Sequence, residues 1–267
     1  MKSLLKKIIP LPLRVHLKKL GYAWLDWRHP ITDKRVPTRK ETFIGGGDFV
    51  AVGEDFFKTL KRHGFRPEHN VLDVGCGQGR MARPMIGSLS GRYFGMDINS
   101  DGIAWCKAQY ADVPNFEFHH MDVYNSRYNA DGSQPAETYR FPTEDNGFET
   151  AFLTSVFTHM LAGEVTNYLN ELSRSLKPGG KVLATWYLLD ERSRAAEKPR
   201  VNFAHEFDAI SRTSVKSTPE AAIAFDFDFV KSLYEKAGLE ILVIESGHWA
   251  RPDSPFMLQD LIVARKI

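Results

Sequence analysis

The sequence predicts an α/β protein built on a doubly wound, mostly parallel sheet. Three observations carry that expectation. Apolar, strand-like runs alternate with helical periodicities along the chain. An apolar run beginning at Val71 closes on Asp73 and is followed by glycines at alternate positions, Gly75, Gly77 and Gly79. A helical pattern over Glu164–Leu176 (Val165, Leu169, Leu172, Leu176) stops at Lys177-Pro-Gly-Gly180 and gives way to a buried run, Val182–Leu189.

The glycine turn comes first. A strand stops abruptly there, and a charged, bulky ligand can lie against bare backbone before a helix begins. Glycine permits positive φ and removes the side chain that would block that approach. The helix behind it offers unpaired N–H groups to an anionic ligand end. The spacing is G-x-G-x-G, with Arg80 where the third glycine of a dinucleotide turn would stand. The Gly-Lys-Ser/Thr ending of a phosphate-cradling P-loop is absent. Cys76 inside the turn reads as a small residue that fits there.

A second strand is expected over Arg92–Ile98. Asp97 near its end stands about 20 residues past the glycine turn, where a nucleotide-binding α/β fold places its ribose-binding carboxylate. A third segment, Phe116–Val123, again ends on an acid, Asp122. A fourth strand, Glu149–Thr154, runs into Ser155-Val-Phe-Thr-His159-Met. Proline and glycine end the helix before Val182 because proline cannot continue a helix and glycine tolerates left-handed geometry. A helix over Phe229–Gly238 and strands over Leu239–Ile244 and Gln259–Arg265 complete the pattern.

The four motifs, in this order, resemble those of the class I S-adenosylmethionine (SAM) methyltransferases. The likeness runs from about Thr42 to the C-terminus. It implies a Rossmann-like sheet of seven strands, the last antiparallel, and SAM as cofactor with S-adenosylhomocysteine (SAH) as product. It further implies a cofactor set of Asp73, Gly75, Cys76, Gly77, Gly79, Asp97, Ile98, Asp122, Val123 and Ser155. Ile98 would pack on adenine, Asp122 would face its amino group, and the fourth strand end at Ser155 would lie beside the methionine part. Stretches such as Ile44–Phe49, Gly79–Pro84, Asp122–Asn125 and Phe152–Met160 resemble a bacterial subgroup of small-molecule or glycan methyltransferases.

Composition sets outer bounds. Hydrophobic content of 43% and charged content of 25% suit a globular protein. The two cysteines, Cys76 and Cys106, make neither a disulfide framework nor a metal-ligand spacing, and no metal is expected. A reducing, cytoplasmic setting follows as the default expectation. Residues 1–41 read as a basic amphipathic extension or lid, and 42–267 as a single domain with inserts at 125–147 and 190–222.

The extension is the charge anomaly. Residues 1–40 carry +9, leaving −7 for the rest of a chain of net +2. Leu13, Leu17, Leu20, Trp24 and Trp27 share one helical stripe. That stripe can pack on the domain as an active-site cover. It can also meet an anionic membrane or lipid-linked substrate, giving peripheral contact through 1–27 at the inner membrane surface. Prolines and charges rule out a secretory core. The acidic remainder argues against a broad nucleic-acid footprint. The oligomeric state is not legible.

The functional expectation is O-methylation of a small-molecule or glycan hydroxyl by in-line transfer, with His159 as general base. His159 follows the fourth strand and titrates near neutrality. The second insert (Arg192, Arg194, Arg200, His205, Glu206) is expected to line the acceptor pocket, and Phe157, Trp186, Tyr187 and Trp249 to offer it aromatic faces. Thr154-Ser155-Val156-Phe157 stands where an N-P-P-Y-type tetrapeptide would mark methylation of planar amino groups. Two alternatives remain: an RNA methyltransferase using the basic N-terminus, and a SAM-binding scaffold without turnover.

Overall fold

A computed structural model describes residues 21–22, 24–39, 41, 47–251, 253–254 and 257–267. Leu13, Leu17 and Leu20 of the amphipathic stripe, and residues 42–46, lie outside the described residues.

The chain alternates as expected except behind the glycine turn, where turns and a single 3-10 turn, Arg83–Met85, stand in place of the expected helix. Helix α1 (Phe49–Arg62) precedes strand β1 (Val71–Val74), and Asp48 caps it by accepting from the Ala51 N–H at 2.8 Å. Strand β2 (Tyr93–Asp97) leads into helix α2 (Ser100–Gln109), capped by the Asn99 side chain. Strands β3 (Phe116–His120) and β4 (Phe148–Leu153), helix α3 (Ala162–Ser175) and strand β5 (Leu176–Trp186) follow. Then come β6 (Leu188–Leu189), the short helix α4 (Glu191–Arg194), β7 (His205–Asp208), β8 (Ser211–Thr213) and β9 (Ile223–Asp226). Helix α5 (Phe227–Lys236) and strands β10 (Leu239–Glu245) and β11 (Asp260–Lys266) close the chain.

The main sheet has seven strands in the order β10-β11-β5-β4-β1-β2-β3. Strands β1 to β5 pair in parallel, and β11 runs antiparallel between β5 and β10. Successive side chains on a strand face opposite sides, so β1 divides itself between two cores. Leu72 and Val74 join Val165, Leu169 and Leu172 of α3 and Val230 of α5 on one face. Val71 joins Phe56 and Leu60 of α1 and Ile103 of α2 on the other. Both faces being covered explains why β1 and β2 are buried throughout.

Two boundaries differ from expectation. Strand β5 begins at Leu176, six residues early, because Phe148 pairs with Leu176 and Thr150 with Lys181, and Lys177–Gly180 bulges out between them. The expected run to Leu189 also breaks at Tyr187, where β6 leaves for a second sheet, β6-β9-β8-β7. The 190–222 insert supplies β7 and β8 of that sheet. Its own core is an aromatic cluster, with Tyr187, Phe203 and Trp249 rings 4.9–5.4 Å apart.

Among the described residues no helix is long and apolar enough to cross a membrane. Residues 24–28 are helical, and Trp24 and Trp27 are 57% and 78% exposed.

Candidate active site

A cleft of about 260 Å³ opens at the C-terminal ends of β1, β2 and β4, where open parallel sheets bind ligands. The glycine turn forms its floor. Gly75 takes φ +81°, and a Cβ there would stand 2.3 Å from Val156 Cγ2, so only glycine lets the β4 loop close over the turn. Gly77 takes φ +55° and faces open space. It leaves room for a ligand against bare backbone.

Asp97 borders this floor and is only 6% exposed. One carboxylate oxygen accepts from the Gly77 N–H at 2.7 Å and the other from the Asn99 N–H at 2.7 Å. Burial raises its pKa above the ordinary carboxylate range, and those N–H bonds oppose the rise. The carboxylate is thus held in place by backbone before any ligand arrives. Ile98 and Val123 line the same end of the cleft.

Ser155 lines the wall at the end of β4 with φ +59°, an uncommon conformation for a residue with a side chain. Its N–H donates to Thr185 Oγ1 (2.7 Å) and its hydroxyl to Gln259 Oε1 (3.1 Å). Those two bonds fix the turn that carries the chain into the cleft.

His159 lines the far end, in a 3-10 turn spanning Phe157–His159. Its Nδ1 lies 2.9 Å from the Glu220 carbonyl oxygen. A carbonyl only accepts, so Nδ1 carries the proton and Nε2 keeps its lone pair. Burial lowers the imidazole pKa, which holds the ring neutral. Tyr128 meets the ring edge-on at 5.4 Å. Glu220 is itself tied across the site, because its carboxylate accepts from the Ser126 N–H (3.3 Å) and hydroxyl.

Four residues expected at the cofactor stand outside the lining of the cleft. Asp73 lies beneath the turn, fully buried, and accepts the Tyr93 hydroxyl at 2.5 Å; burial pushes its carboxyl up to about 8. Cys76 is buried under the turn, its sulfur pressed toward Gly95. Gly79 packs against the Tyr110 ring, which would meet a Cβ at 2.9–3.1 Å. Asp122 accepts from the Ser133 N–H at 3.3 Å and from its hydroxyl, and Met121 and Val123 form the wall there instead. Asp73, Cys76 and Gly79 thus shape the turn from behind.

The roles of the inserts also differ from expectation. Asn125, Tyr128 and Ala136 of the first insert line the cleft, whereas the second reaches it only through Glu220 behind His159. Phe157, Trp186, Tyr187 and Trp249 are buried in the cores. The aromatic lining is Tyr124, Tyr128 and Tyr168. Glu164, in the first turn of α3, also lines the cleft and was not anticipated. The signal for it was a carboxylate five residues past His159 at a helix start, which reads locally as a cap. No lysine or arginine lines the cleft among the described residues. Bare glycine backbone, a preset carboxylate and an absence of phosphate-binding cations fit a ribose-bearing, positively charged cofactor such as SAM.

Fold and cleft together define a doubly wound α/β protein with a ligand cleft at the C-terminal ends of its parallel strands. A family model described as a methyltransferase domain matches residues 71–180. The chain is 28% identical over 145 residues to phosphoethanolamine N-methyltransferase 2 of Caenorhabditis elegans, covering 53% of this chain and 30% of that protein. It is 27% identical over 157 residues to a sterol 24-C-methyltransferase of Schizosaccharomyces pombe (55% and 38%). To a fatty-acid O-methyltransferase of Mycolicibacterium smegmatis it is 31% identical over 116 residues (43% and 36%). The match thus spans well under half the length of each relative. A SAM-dependent methyltransferase structure from Methanosarcina mazei shares the fold, at TM-score 0.55 and 18% identity over 78% of this chain and 97% of that one. Residues 71–180 thus match a methyltransferase domain, and the whole fold is that of SAM-dependent methyltransferase structures.

Proposed function

We propose that this protein transfers the methyl group of SAM to a hydroxyl of a small molecule or glycan, with His159 as general base. The relatives named above act, by their names, on nitrogen, carbon and oxygen, so they favour a small-molecule acceptor without selecting its atom. What favours oxygen on this reading is a base beside the cleft. A hydroxyl is a poor nucleophile until it loses its proton, and His159 holds a neutral ring with Nε2 as the acceptor atom. That tautomer is the observation that carries the reading.

When bound, SAM supplies an electrophilic methyl on a sulfonium sulfur. Gly75 and Gly77 give it a bare floor, and Asp97 is placed to accept from its ribose hydroxyls. Tyr128 and the Glu220 carbonyl hold the His159 ring while Nε2 takes the acceptor proton. With that proton on Nε2, the acceptor oxygen would be the nucleophile for the methyl that bound SAM would supply, with SAH as the leaving group. Holding the partners in line supplies up to about 7–11 kcal/mol of the barrier in favourable cases. The base adds about 10²–10⁴-fold.

The test pairs calorimetric SAH binding with a mass-spectrometric screen of sugars, alcohols and phenols for a one-methyl gain. Wild type and His159→Ala should bind SAH alike, with turnover in the variant slower by about 10²–10⁴-fold. Undiminished turnover in His159→Ala would make His159 structural. SAH binding with no turnover on any acceptor would favour a scaffold role.

A further inference from the structure

Glu164 is the carboxylate of the cleft that the proposed mechanism leaves unused, and its surroundings are electrically one-sided. Its carboxylate reaches back to the Leu161 N–H at 2.6 Å, within the first turn of α3. Its charged neighbours are acids from two other segments, Glu137 of the first insert and Glu220 of the second. Tyr168, one turn along α3, senses both Glu164 and Asp97. Asp97 and Glu164 are the two acids that line the cleft, and no lysine or arginine among the described residues lines it to balance them. A half-buried carboxylate whose charged neighbours are acids is costly. Burial and these neighbours push its pKa up to about 7, so near neutral pH it is half protonated.

We infer that Glu164 is the counter-charge for the methyl donor: its carboxylate, in a cleft lined by no cation among the described residues, holds the sulfonium of SAM in preference to uncharged SAH. This rests on the cleft being the SAM site. SAM and SAH share the same nucleoside and amino-acid ends, so their difference isolates the sulfonium charge. Loss of the methyl removes that charge, lets Glu164 take up a proton from solvent, and loosens the product.

The experiment is calorimetric titration of the full chain with SAM and with SAH near pH 7, in phosphate and in Tris, whose ionisation heats differ. Wild type should release about half a proton more with SAM than with SAH. Glu164→Gln keeps an oxygen to accept the Leu161 N–H, so the helix start is preserved. It should abolish the extra release and weaken SAM about tenfold, with SAH changed less than about twofold. Glu137→Gln, which removes one like charge outside the cleft lining, should reduce the extra release without weakening SAM. A Glu164→Gln protein that keeps both the SAM preference and the extra proton release overturns the inference while leaving the cofactor site intact. If wild type binds neither ligand, the cofactor reading fails and this inference falls with it.

Discussion

Asp97→Ala gives the most direct measure of the cofactor site. The carboxylate is 6% exposed and already accepts from two backbone N–H groups at 2.7 Å each. Two ribose hydroxyls donating to it would add charge-assisted bonds of about 1.5–3 kcal/mol each, or about 3–6 kcal/mol together. At about 1.4 kcal/mol per decade, SAH affinity should fall by about 10²–10⁴-fold. Alanine also orphans the Gly77 and Asn99 N–H groups, which loosens the turn itself. Asp97→Asn retains one acceptor oxygen and should lie between wild type and alanine. Calorimetric titration with SAH, accompanied by thermal melting, separates lost contacts from lost turn. An Asp97→Ala protein that melts normally and binds SAH within about threefold of wild type would refute the ribose assignment, since even one such bond is worth about tenfold.

Other expectations follow from single residues. Burial lowers the His159 pKa below the ordinary 6.5, so the lone pair on Nε2 survives to lower pH and is lost only on further acidification. The acid limb of the kcat/KM profile should therefore centre below about 6.5; a limb centred above that value would exclude His159 as its source. Gly75→Ala forces a side chain into φ +81° and against Val156 Cγ2, at about 2–5 kcal/mol from backbone strain and overpacking together. Adding Val156→Ala should restore part of the melting temperature, and no restoration would contradict the clash. Trp24 and Trp27 are exposed beside a basic segment, so wild type should sediment with anionic liposomes and Trp24→Ala/Trp27→Ala should not; equal sedimentation removes membrane contact.

The sheet was legible because its signals are local. Apolar runs mark β1, β2 and β4, and glycine or proline sits where each turn needs it. The second sheet was not legible. All four residues of β7 are exposed, so no alternation of burial marks it in the sequence. Asp122 could be located but not aimed: only the folded insert shows that Ser133 holds its carboxylate. Glu164 was hidden for a related reason. A glutamate in a helix's first turn reads as a cap, and that bond is indeed made. Its second role depends on Glu137 and Glu220, which lie far from it in sequence and come close only through both inserts.

Glu220 has an evolutionary consequence. One residue grips the first insert through Ser126 with its side chain and holds His159 with its main chain. On the proposed reaction, substrate choice and reaction rate would share a hinge. A loop redesigned for a new acceptor pulls on the imidazole at the same time, so variants that broaden specificity should drift in rate together. Adaptation in this protein would then proceed by compensating pairs of changes spanning the two inserts, rather than by single steps within one.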